Sequence, residues 1–207
     1  MIEIILFTFI SNVFFYSYGN LIKFENFSNK IKNINDRSII GCIFISFLAL
    51  SINFFLPLTP LINSFFLITG VCIFFVLRFN QFTKKEFIYL LFSSLIASSL
   101  IIYSNINRPD AGLYHLPYIN ILNEYKIIFG LNNIHFRFGT TSIIQYLSAI
   151  NNNLLFKDLG ILIPLSSLAS FFIIYFFNNV LVLFKKKKIK LENIFSIFII
   201  IFVAYKI

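Results

Sequence analysis

Long stretches without a single charge constrain this chain more than any other feature. Residues 39–56, 61–77, 87–103 and 159–184 contain no Asp, Glu, Lys or Arg. A soluble helix shows its apolar residues on one stripe and charges on the other. A run that is apolar all round, close to the roughly 20 residues that cross a bilayer, predicts a membrane span. A further apolar run covers residues 4–18, is short and contains Asn12, and another covers residues 194–207. The expected fold class is therefore all-α, a polytopic transmembrane helix bundle of about six spans.

Composition excludes the main competitor. Only 12% of residues are charged and 58% are hydrophobic, whereas soluble domains carry about 25% charged residues. The net charge of +9 raises nucleic acid as a partner, but the basic residues sit in short clusters between apolar runs, which is a topology signal. No nucleic-acid partner is expected; membrane lipids are. Asn and Lys are abundant and Trp is absent. This resembles the bias of an AT-rich coding sequence and warns against reading a role into every Asn or Lys. Cys42 and Cys72 both lie in apolar runs and read as small core residues, not as a disulfide or metal pair. The N-terminus has no basic residues before its apolar core and no small-residue cleavage site, so it reads as a retained first span.

Charge asymmetry orients the chain. Twelve Lys/Arg lie in three loops (residues 19–38, 78–85 and 185–190), and four, Arg108, Lys126, Arg137 and Lys157, lie in the intervening ones. The lysine-rich loops face the cytoplasm by the positive-inside rule. The expected location is a bacterial inner (cytoplasmic) membrane, multi-pass, with the loop at residues 105–158 in the periplasm. Three regions follow: a four-span segment at 1–104, that loop, and C-terminal spans at 159–207. The last run has only fourteen residues, fewer than the roughly 20 of a complete span, and is expected to be an incomplete helix of a truncated product.

The loop holds the chemistry. Residues 105–142 contain both histidines, His115 and His135, together with Arg108, Asp110, Glu124 and Arg137. Ionisable groups gathered in one loop between apolar spans are functional-site candidates. Pro109 and Gly112 shape the turn around Asp110. Pro117 suits the first turn of a helix reaching to about Phe129, expected to lie at the interface with its apolar side toward lipid. In residues 134–139 apolar and polar positions alternate, so His135 and Arg137 share a face if that stretch is extended. Thr140, Thr141 and Ser142 can cap the helix that follows. That helix, about residues 140–153, is too polar to span and is expected at the outer interface as well.

The pattern D-A-G-L-Y-H-L-P at 110–117, N-E-Y at 123–125 and G-L-N-N-I-H-F-R-F-G-T-T-S at 130–142 resembles a group of bacterial multi-pass proteins similar to the GT-C glycosyltransferases. The resemblance implies a polyprenyl-phosphate-linked sugar as donor, and a catalytic acidic residue in a periplasmic loop carrying short interfacial helices. On the chemistry alone, an acceptor hydroxyl attacking an anomeric carbon needs a carboxylate, and Asp110 is the candidate, with a turn cap or an Arg108 pair as its structural alternative. The departing phosphate needs donors, a task suited to Arg108 or Arg137 with His115 or His135. Glu124 is a further candidate for substrate contact, with a solvated helix face as its alternative. Two histidines and a carboxylate could hold a divalent metal, but no short ligand spacing supports one, and no cofactor is expected. Other readings are a polysaccharide polymerase, a transporter or flippase for a lipid-linked substrate, and a non-catalytic membrane remnant. Transporters place ionisable groups within spans and carry inverted repeats; neither is evident here.

Overall fold

The first apolar run, short and interrupted by Asn12, forms the central post of the bundle. Helix α1 (Ile2–Gly19) has 61% of its span buried, against 22% for the span Pro60–Gln81. Lipid supplies no hydrophobic drive between helices, so close packing of small residues and interhelical hydrogen bonds must hold them together. Both operate around α1. A Cβ on Gly41 of α2 (Ile34–Asn53) would sit 1.8 Å from the Phe15 carbonyl oxygen, and one on Gly19 would sit 1.8 Å from that of Arg37. On α4 (Lys84–Tyr103), Ser93, Ser94, Ala97 and Ser98 form a buried small-residue face. Asn12 Nδ2 donates to Ser93 Oγ (3.0 Å) and Thr8 Oγ1 to the Ser94 carbonyl (3.3 Å). The polar residue that made this span look irregular is what couples it to α4.

The computed structural model describes residues 1–22, 34–103, 111–139, 142–186 and 191–206. Among these are eight α-helices. Five stretches are long and apolar enough to cross a membrane, and a shorter apolar helix lies within α8 (Leu191–Lys206). The protein is an all-α polytopic membrane bundle. Helix α3 (Pro60–Ile73) starts on a Thr59 cap with Pro60 in its first turn, and helical winding continues through a π-turn, Phe74–Arg78. Outward-facing Phe65, Ile68 and Val76 are more than half exposed, as expected where lipid is the neighbour. Cys42 is buried, but Cys72 is exposed on α3, so only Cys42 is a core residue.

At the lysine-bearing end, the π-turn aims Arg78 inward. Its Nη2 donates to Tyr16 Oη (2.7 Å) and Glu86 Oε1 (3.0 Å), and Tyr16 Oη also donates to Glu86 Oε1 (2.8 Å). Glu86 in turn exchanges bonds with Thr83, a capping box that starts α4. One network thus ties α1, α3 and α4.

At the opposite end, two short helices depart from expectation. Helix α5 (Leu116–Glu124) stops five residues early, and its apolar face (Tyr118, Ile119 and Leu122) is buried in the main core with Phe14, Ile45 and Leu147. The face expected toward lipid faces protein. Helix α6 (Ile143–Asn151) is buried from Tyr146 to Asn151 and packs on α2, α5 and α7. Its last residue reaches mid-α1, where Ser11 Oγ donates to Asn151 Oδ1 (3.3 Å). It is packed inside the helix bundle over its second half rather than lying on the bundle's surface. Helix ends in a water-poor interior need donors and acceptors from protein, and asparagines supply them. Asn63 Nδ2 donates to the carbonyls of Leu58 (2.8 Å), Ala149 (2.8 Å) and Asn152 (2.6 Å). Asn153 Oδ1 accepts from the amides of Leu155 and Phe156, and Asn151 Nδ2 donates to Gly160 O. Helix α7 (Leu159–Lys186) then leads back through the bundle, with Pro164 in its second turn.

Candidate functional site

The candidate site is assembled at the start of α5. A π-turn, Ala111–His115, widens the chain before the helix, and Pro117 fits the first turn, where no intrahelical donor is needed. Such wide turns are frequent where a side chain must be aimed; this one ends on His115, which is exposed. The Tyr114 ring lies against the imidazole with centroids 4.3 Å apart. Above Tyr114 sits the Arg137 guanidinium, 4.7 Å from the ring centroid, a cation–π contact.

Arg137 arrives there because its segment is not extended. Residues Phe136–Gly139 form a 3-10 turn, so His135 and Arg137 do not share a strand face. Instead His135 stacks on Phe136 (5.2 Å) and touches Phe138 (5.3 Å), which rests against Tyr118 (5.8 Å). The Arg137 amide donates to His135 Nδ1 (3.3 Å). The buried Tyr118 hydroxyl pairs with that of Tyr146 on α6 (3.3 Å).

Ser142 caps α6 as expected, through a box that was not foreseen. Its amide donates to Gln145 Oε1 (2.9 Å), and its Oγ accepts from Ile144 N (3.4 Å). The other end of the Gln145 amide meets His115: Nε2 to Nδ1 is 3.2 Å. His115 and Gln145 line a cavity of about 550 Å³ together with Ala111, Ile119, Ser148 and Leu165. A second, almost wholly apolar groove of about 840 Å³ runs between α4, α7 and α8, past Phe92, Phe172 and Phe202. The two share Leu100 and Ala169 as common wall. The arrangement can take a long apolar chain with a polar head among imidazole, amide and hydroxyl groups.

The chain matches, over residues 1–207, the family described as Domain of unknown function (DUF8201). It belongs to the DUF8201 family. No curated protein and no solved structure matches it.

In this DUF8201 protein, the fold brings His115, His135 and Arg137 to one end of α5. Glu124 is the last residue of that helix and is exposed, about 13 Å away by helical rise. Arg108, Asp110, Thr140 and Thr141 lie outside the described residues; the described chain resumes at Ala111, which lines the cavity. Among the described residues, no three His, Cys, Asp or Glu side chains gather to hold a metal. Sequence reasoning missed Tyr114 as the platform for Arg137, and Gln145 as the partner of His115. The Ser142-x-x-Gln145 spacing, a capping-box signature, was the available signal for the second. For Tyr114 no local signal exists, because the turn that brings Arg137 over it is a tertiary result.

Proposed function

We propose that this protein transfers a sugar from a polyprenyl-phosphate donor to a cell-envelope glycan or lipid acceptor, with its loop at the periplasmic face of the inner membrane. One observation carries the reading: an apolar groove along α4 and α7 shares its wall with a cavity headed by His115 and Gln145, next to the Arg137–Tyr114 pair. A polyprenyl phosphate has that division, a long chain for the groove and an anionic head for the donors.

In the reaction, an acceptor hydroxyl oxygen attacks the anomeric carbon while the carbon–oxygen bond to phosphate breaks. The phosphate leaves with the bonding electron pair, and the hydroxyl proton passes to the Asp110 carboxylate. Arg137 and Arg108 receive the growing phosphate charge through forked hydrogen bonds. His115 and His135 add donors to the same group. Glu124, the exposed last residue of α5, is a candidate for contact with the sugar or the acceptor rather than with the phosphate. Membranes bearing the protein are expected to transfer labelled sugar from a polyprenyl-phosphate donor to endogenous acceptor. Asp110→Asn and Arg137→Ala should each abolish transfer and leave membrane insertion intact. Transfer retained in both variants would overturn the assignment.

A further inference from the structure

A neutral imidazole carries one proton, and which nitrogen holds it decides whether the ring offers a donor or a lone pair to a ligand. For His115 the neighbours settle this. The Ser142 backbone amide can only donate, so the atom of Gln145 that faces it at 2.9 Å is the amide oxygen. The amide nitrogen is thereby turned toward His115 Nδ1 at 3.2 Å. An NH₂ group only donates, so Nδ1 accepts and the ring proton sits on Nε2. The reverse tautomer would set two donors against each other unless the Gln145 amide turned over, and turning it would put NH₂ against the Ser142 N–H. One hydrogen bond of ordinary net strength biases two such states about five- to tenfold.

We propose that Gln145 is a positioning residue that holds His115 as the Nε2–H tautomer, so that the imidazole presents a donor to an anionic headgroup in the cavity it lines. This rests on the proposed function for the identity of the ligand. The geometry of the tautomer stands apart from it. Gln145 has this effect because it sits in a helix-capping box: the same contact that starts α6 orients the amide, so the donor is set before any ligand arrives.

The test uses the full chain in lipid nanodiscs, ¹⁵N-labelled at histidine, with His135→Asn so that one imidazole is observed. The ring nitrogen shifts of His115 should show the Nε2–H form in an excess about five- to tenfold larger than that of the free imidazole. Gln145→Glu keeps an oxygen for the Ser142 amide and places the other oxygen toward Nδ1, so it should move the proton to Nδ1 and reverse the ratio. Gln145→Met should bring the ratio close to the free imidazole's. The same ratio in all three proteins, each eluting as a folded monodisperse species, would overturn the proposal. Titration with a short-chain polyprenyl monophosphate separates the two claims. A wild-type protein that binds none of it, but whose tautomer reverses in Gln145→Glu, keeps the positioning role and loses the lipid-phosphate ligand.

Discussion

Asn63 shows what a single amide does where water is scarce. Its Nδ2 lies within 2.8 Å of three carbonyls, from Leu58, Ala149 and Asn152, and the side chain is fully buried. Asn123 doubles the arrangement: with its amide nitrogen toward the acceptors it donates to Leu58 O (2.8 Å) and Ala149 O (3.1 Å). Removing the Asn63 amide takes a donor from buried acceptors, each of which costs about 1–3 kcal/mol when left unpaired. Asn63→Leu is therefore expected to destabilise the bundle by about 1–3 kcal/mol, since Asn123 still serves two of the three carbonyls and only that of Asn152 is left unpaired. Equilibrium unfolding in mixed micelles reads the loss directly, and a change under about 0.5 kcal/mol would show that the amide is dispensable. This role was not legible beforehand. A composition rich in Asn hides the few that matter, and only the fold places Asn63 against a helix end 86 residues later.

At the scale of elements, hydropathy found every long helix but did not show what the two short ones pack against. A nine-residue amphipathic segment has the same sequence pattern whether its apolar side meets lipid or protein. What differs is the fate of its terminal backbone groups. An interfacial helix leaves them to water, whereas α6 has Asn63 at its C-terminal carbonyls and Asn151 joined to Ser11 of α1. The long helices were readable because burying about 20 apolar residues leaves few alternatives. Asn151 and Asn153, part of what makes residues 140–153 too polar to span, serve as internal hydrogen-bond partners. The two geometries separate in a cysteine scan on a background lacking Cys42 and Cys72. Position 142, exposed at the start of α6, should react with a membrane-impermeant maleimide, and positions 148 and 151 should stay unlabelled until the protein is unfolded. Equal labelling along the polar face would restore the interfacial placement.

For the whole molecule, the strongest demand of the proposed chemistry is that head and chain of one lipid fit at once. The head cavity is walled by α4, α5, α6 and α7, and the groove by α4, α7 and α8, so α4 and α7 must hold a fixed spacing through both. The seryl face that docks α4 on α1, and the Tyr16–Arg78–Glu86 network at the far end, hold α4 in place. Helix α7 is held at the loop end through the bond from Asn151 to Gly160. Leu100 and Ala169 are the common wall, and Ala169 is the smaller side chain there. Ala169→Phe should fill the junction without touching His115, Gln145 or Arg137. Affinity for a long-chain polyprenyl phosphate should fall at least tenfold, equivalent to about 1.4 kcal/mol, while a short-chain phosphate binds as before. Paired titrations in nanodiscs give the ratio. If the two ligands weaken together, the substitution has disturbed the head site; if neither weakens, the chain does not pass between α4 and α7, and the groove belongs to bulk lipid alone.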